Sequence, residues 1–225
     1  MDSPLSLLIL AGFMLKVAGF FFRDELALRA LVASGMLADL LYYALLPTPL
    51  IAPVLSNGTI IAINMALIFV IIFERTRIGM SAEDIRLYGY FETLSPGQFR
   101  RISRHAETVV TDTTTPLIRE GVHLDKLYFI DADHFQIEKR GMTYRATGPS
   151  FVGEIAFLTG QVSSASVLVP PATRVIVFDV ARLKTLMGKR PALNNGMIAL
   201  FGRDLAQKVA QGVPMDQVSD GTSRQ

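Results

Sequence analysis

Apolar residues are spread unevenly along this chain: before Arg75 they form long runs, and after it short runs divided by turn formers. Leu5 to Phe22 is apolar apart from Ser6 and Lys16, Leu26 to Leu46 is interrupted mainly by Arg29 and Asp39, and Thr59 to Phe73 carries no charge. A bilayer core takes about 20 mainly apolar residues per helix, with about 17 as the lower end. The pattern therefore predicts three transmembrane helices, at about 5–22, 26–46 and 52–73, within a membrane domain covering 1–77. The third reaches its length by starting between Leu50 and Leu55 and tolerating Pro53, Asn57 and Gly58.

Composition supports that reading. Half the residues are hydrophobic and mean hydropathy is +0.37, with the excess in the first third of the chain. A cleaved signal peptide needs a basic segment before its apolar run and small residues after it, whereas here Asp2 precedes and Phe20-Phe21-Phe22-Arg23 follows. Cations gather on the cytoplasmic side of a membrane. Met1 to Pro4 and Pro47 to Gly58 contain none, while Arg23, Arg29, Arg75 and Arg77 flank the other two ends. The expected topology is a multi-pass cell-membrane protein with its N-terminus outside and everything after Phe73 in the cytoplasm. Lys16 and Asp39 are costly within a bilayer, and a Lys16–Asp39 pair or a contact with Asn64 is expected to reduce that cost as a structural device.

Past the third run the texture changes. Ser81-Ala82-Glu83-Asp84 has the form of a capped helix start, and Leu87, Tyr88 and Phe91 supply an apolar face. A second start lies at Ser95-Pro96, with proline suited to the first helical position. From Thr108 to about Val180, β-branched and aromatic residues in short runs predict a β sandwich or barrel. The strands are read at Glu107 to Thr111, Pro116 to Ile118, Lys126 to Ala132, His134 to Arg140, Met142 to Thr147, Ser164 to Leu168 and Thr173 to Asp179. Gly153 to Leu158 reads as a helical turn. After Val180 helical spacing returns through Leu183, Leu186, Met187, Leu193, Ile198, Leu200, Phe201, Leu205 and Val209. The tail, 211–225, is polar and expected to be disordered.

One stretch carries more chemistry than the rest. Phe151-Val152-Gly153-Glu154-Ile155-Ala156-Phe157-Leu158-Thr159-Gly160-Gln161-Val162-Ser163-Ser164-Ala165-Ser166-Val167 resembles the phosphate-binding cassette of cyclic nucleotide-binding domains. Leu117-Ile118-Arg119-Glu120-Gly121, followed by Asp125-Lys126-Leu127-Tyr128-Phe129-Ile130, resembles the strand, glutamate-glycine turn and returning strand of the same family. The resemblance covers roughly residues 81–210 and implies a jelly-roll or β-roll flanked by α-helices, with cyclic AMP or cyclic GMP as ligand and no cofactor. Three spans ahead of such a domain are similar in architecture to the Popeye-domain family.

The resemblance implies a role for each cassette position. Gly153 lets the backbone approach a ligand, Glu154 accepts the ribose 2′-hydroxyl, with capping of the following helical turn as its alternative, and the amides of Ile155 and Ala156 help hold the anion. Ser163 stands where the family has an arginine that grips the cyclic phosphate, leaving Ser164 and the amide of Ala165 as neutral donors. Charge-assisted hydrogen bonds are worth about 1.5–3 kcal/mol against about 1 for neutral ones, so affinity is expected to fall by one to several powers of ten. Arg145, on the strand leading to the cassette, is a candidate replacement cation, with a surface position as its alternative.

Other functional classes find little support. A net charge of +2 with scattered cations, the densest being Arg100, Arg101 and Arg104 at helical spacing, points to no nucleic-acid partner. Cysteine is absent, no serine sits in a nucleophile elbow, and His105, His123 and His134 fall in different elements, so neither an enzyme nor a metal site is expected. The expected function is a membrane-anchored sensor or scaffold with a cytoplasmic regulatory domain, its partners the lipid bilayer and a further copy or another membrane protein. The alternative is a degenerate domain that binds no nucleotide and mediates protein interaction or oligomerisation at the membrane.

Overall fold

The structure, a computed structural model, describes residues 5–210, so the tail expected over 211–225 lies outside the described residues. The chain divides into two compact units, Met1–Ile78 and Gly79–Gln225.

The first unit is three helices in sequence: α1 (Ser6–Gly19), α2 (Glu25–Ala44) and α3 (Ile51–Arg75), with α2 packed against both neighbours. The Asp24 carboxylate caps α2 by accepting the Leu26 and Ala27 amides at 2.8 and 3.2 Å. It also accepts from Arg75 at 2.8 Å, which ties the start of α2 to the end of α3. α2 and α3 are long and apolar enough to cross a membrane, by length and composition. α1 has 14 residues, and at about 1.5 Å of rise per residue it is roughly 21 Å long, shorter than a hydrocarbon core of about 30 Å. Its predicted last turn tightens instead: the amides of Phe20, Phe21 and Phe22 each reach back only three residues, at 3.1 Å.

α1 and α2 meet through glycine. A Cβ on Gly12 would lie 2.4 Å from Asp39 Oδ1 and 2.8 Å from the Gly35 carbonyl, and one on Gly35 would lie 2.6 Å from the Gly12 carbonyl. This approach brings Lys16 and Asp39 into an ion pair, as the sequence suggests. Asn64 is not part of it, since its amide donates to the Ile60 carbonyl of its own helix at 2.9 Å.

The second unit opens with α4 (Ala82–Tyr88) and α5 (Pro96–Ser103), each started by a reciprocal capping box, Ser81 with Asp84 and Ser95 with Gln98. Eight strands follow: β1 (Ala106–Val110), β2 (Thr115–Ile118), β3 (Lys126–Asp131), β4 (His134–Lys139), β5 (Met142–Thr147), β6 (Ser150–Val152), β7 (Ser166–Val169) and β8 (Arg174–Asp179). They form two antiparallel sheets ordered β1-β8-β3-β6 and β2-β7-β4-β5. A short helix, α6 (Glu154–Thr159), interrupts the strands, and α7 (Val180–Gly188) and α8 (Pro191–Ala210) close the unit.

Two apolar clusters hold it together. Ile118, Ile130, Phe135, Val152, Val169 and Val175 belong to one. The larger is aromatic: Phe91, Phe129, Phe151 and Phe201 are almost wholly buried, and Phe151 packs edge-on against Phe91, Phe129 and Phe201 with centroids 5.0–5.4 Å apart. β6 is the strand that the sequence pattern does not show. All three of its residues are buried, so it has no alternation to read. It nevertheless delivers Phe151 to the core and Gly153 to the turn into α6.

Candidate functional site

The chain leaves β6 through Gly153, whose φ of +89° is open to glycine and strained for other residues. Space makes the same demand, because a Cβ there would meet Leu124 Cδ1 at 2.5 Å and Ile118 Cδ1 at 3.2 Å. Glu154 is thereby fixed at the first position of α6. The same cavity is lined by Gly153, Glu154, Ile155, Ala156, Ser163, Ser164 and Ala165, so the structure brings together every cassette residue the sequence nominates. Ile118, Ile137, Val152 and Val167 provide its apolar wall.

Arg145 is outside this group. It pairs with Gln136, one residue along from the Ile137–Tyr144 pair, and side chains alternate across a strand. Ile137 faces the cavity, so Arg145 lies on the other face, where it is exposed.

Ser163 is committed locally. Its hydroxyl donates to the Ala165 carbonyl at 2.8 Å, its amide donates to the Val122 carbonyl at 2.9 Å, and its carbonyl accepts from the Gly121 amide at 2.8 Å. The residue in the arginine position therefore braces the loop against the Gly121 turn. Phosphate binding would require that hydroxyl to turn away from Ala165.

The carboxylate is committed as well, to a partner that sequence reading missed. Lys208, near the end of α8, places Nζ 2.6 Å from Glu154 Oε1 and 2.8 Å from Asp204 Oδ2, and also donates to the Phe151 carbonyl. Asp204 in turn accepts from the Ser150 hydroxyl at 3.2 Å and from the Phe151 amide at 3.3 Å. The Glu154 and Lys208 side chains are only 5% and 9% exposed. Burial raises the Glu154 pKa above its ordinary value, an effect that Lys208 reduces without cancelling. Burial also works against the Lys208 ammonium, but Glu154 and Asp204 more than offset it and raise the lysine pKa.

A signal for this network does exist in the sequence. Leu193, Met197, Leu200, Asp204 and Lys208 fall at spacings of three to four on the buried face of α8, so two charges occupy positions that helical periodicity assigns to the core. Buried charges need partners, and the partners here are each other, Glu154 and β6. Among the described residues no buried side-chain nitrogen or oxygen lacks a partner.

The cassette cavity has a volume of about 80 Å³, well below the roughly 300–1,000 Å³ of small-molecule sites. A larger cavity of about 540 Å³ lies elsewhere, between Tyr90, Phe129, the Gly148–Ser150 turn and the Arg203 and Gln207 side of α8. Volume and cassette chemistry thus point to different places, and the chemistry has the stronger claim because the nominated residues converge there. Lys208 lines both cavities and forms part of the wall between them.

No family model and no curated protein sequence matches the chain. Solved structures do. A putative cyclic nucleotide-binding protein from Geobacter metallireducens GS-15 is similar at 17% identity and a TM-score of 0.51, over 58% of this chain and 98% of its own. A cyclic nucleotide-binding domain from Methylobacillus flagellatus KT is similar at 16% identity and a TM-score of 0.50, over 62% of this chain and 90% of its own. The match to the Thermus thermophilus catabolite activator protein, at 16% identity and a TM-score of 0.44, spans 54% of this chain and 60% of that protein. At such identities the likeness is one of architecture: the two-sheet unit with its flanking helices has the fold of a cyclic nucleotide-binding domain.

Proposed function

We propose that the chain is a membrane-anchored regulatory protein, non-enzymatic, whose cytoplasmic domain senses a cyclic nucleotide through the Gly153–Ala165 cassette and reports it through α8. The observation that carries this reading is the convergence of all seven cassette residues on one cavity that α8 also lines. Anchoring is supported by the length and composition of α2 and α3, by the apolar character of the shorter α1, and by the exposure of Leu7, Phe13, Phe21, Leu55 and Phe69. The cations at Arg23, Arg29, Arg75 and Arg77 favour a cytoplasmic second unit. This order of parts is like that of Popeye-domain proteins.

With Ser163 in the arginine position, cyclic AMP or cyclic GMP binds weakly, because no cassette side chain is a cation. Calorimetry of the full chain in detergent tests this. Saturable heat with cyclic AMP or cyclic GMP that disappears in Glu154→Ala supports the reading, and no heat at millimolar nucleotide overturns it.

A second reading is favoured by the Ser163 hydroxyl bond to Ala165 and the small cavity. On it the domain binds no nucleotide and serves protein interaction or oligomerisation at the membrane. Adding Ser163→Arg separates the two: affinity gained by that variant identifies a cassette lacking only its cation, and continued silence identifies a site that has been given up.

A further inference from the structure

Lys208 holds the carboxylate that the resemblance assigns to a ligand. Its ammonium sits at Glu154 Oε1, on the carboxylate a ribose hydroxyl would use, and it arrives on the helix that closes the domain. Its bond to the Phe151 carbonyl ties that helix to β6, and its contact with Asp204, one turn back on the same helix, joins it to a carboxylate that also accepts from Ser150 and the Phe151 amide. Glu154 has no other side-chain partner among the hydrogen bonds and ion pairs of the described residues.

From this geometry we propose that Lys208 is an internal occupant of the cassette, a latch that holds α8 on Glu154 and that any ligand using Glu154 must displace. The inference rests on the reading of Gly153–Ala165 as a ligand cassette. It adds that the resting state is closed from within, with the 80 Å³ cavity as the closed form of the site. Ligand and latch then compete for one carboxylate. Apparent affinity falls in proportion to the fraction of molecules in which the latch is open. Release of the latch frees the C-terminal part of α8, which gives ligand binding a mechanical output. It also opens the wall that Lys208 forms between the two cavities.

The chain has no cysteine, so introduced thiols label without background. Thr143→Cys on β5 and Ala206→Cys on α8 are exposed positions outside the network, and spin labels there report the α8 to β-roll distance in the full chain. The parent is expected to give one narrow distance. Lys208→Met is expected to add a second, displaced population without any nucleotide, and to tighten cyclic AMP binding at least about tenfold. Should Lys208→Met fail to fold, Glu154→Gln with Lys208→Met removes both charges at similar volume and is expected to show the same released population. An unchanged single distance in whichever variant folds overturns the latch. The two readings fail separately: a released helix with no nucleotide bound leaves the latch standing and removes the nucleotide, whereas equal nucleotide affinity in parent and Lys208→Met with α8 docked removes the latch alone.

Discussion

Each unit contains a lysine–carboxylate contact between distant parts of the chain, partly buried in the first and buried in the second, and the two are built for different ends. Lys16–Asp39 lies where α1 and α2 touch through Gly12 and Gly35, with backbone within van der Waals reach on both sides. Movement there would break the helix contact itself. Lys208–Glu154 lies at the edge of a cavity, in the last turns of a helix that Phe201 anchors about two turns earlier, with Asp204 and the Phe151 carbonyl as the polar contacts beside it. The same chemistry therefore serves as a fixed rivet in one unit and as a removable clasp in the other. What distinguishes them is the space beside the charge.

The comparison breaks most visibly at the rivet. Asp39→Leu leaves Lys16 without its partner at a glycine-packed contact, and removing one partner of a partly buried pair leaves an uncompensated charge among apolar side chains. The expected result is loss of monodisperse folded protein in detergent, read by size-exclusion chromatography and thermal unfolding. Unchanged assembly would remove the structural role assigned to this pair.

The turn that presents the clasp's carboxylate comes next. Gly153→Val forces a branched side chain into a left-handed conformation and onto Leu124, at a cost of roughly 2 kcal/mol. The second unit is expected to melt lower, with the first unaffected.

A smaller effect distinguishes Glu154 by pH. Because burial raises its pKa, the folded protein holds that proton more tightly than the unfolded chain. The stability this contributes is complete below the ordinary glutamate value and is lost as pH rises through the higher folded value. Lys208 is also raised, so its contribution persists through neutral pH and is lost only above the ordinary lysine value. Glu154→Gln is expected to flatten the fall on the acid side when unfolding is followed against pH. An equal fall in both proteins would mean that Glu154 is not the titrating group.

Arg145→Ala defines the lower end of the scale. The residue is exposed on the face away from the cavity, so stability should change by less than about 0.5 kcal/mol and nucleotide affinity should not change. A marked loss of affinity would return Arg145 to the site.

Features written in local chemistry were legible in the sequence. The two capping boxes, the turn formers between strands and the glycine-glutamate turn each declare themselves within a few residues, and the cassette residues do converge. Features that depend on distant partners were harder to read. The charge that Ser163 lacks is visible locally, while its actual task, bracing Gly121 and Val122, depends on residues some 40 positions back along the chain. Lys208 and Asp204 are masked by the apolar spacing that marks α8 as a packing helix, and their partners Glu154 and Ser150 are 54 residues away. In α1 the apolar run continues to Phe22 but the helix stops at Gly19, a difference in hydrogen bonding that composition does not carry.

The clasp is tested most directly by titrating cyclic AMP into the full chain and into Lys208→Met side by side in a calorimeter. Saturable heat in both, with affinity at least about tenfold tighter in Lys208→Met, is the expected result. Equal affinities, or tighter binding in the parent, would contradict an internal occupant at Glu154.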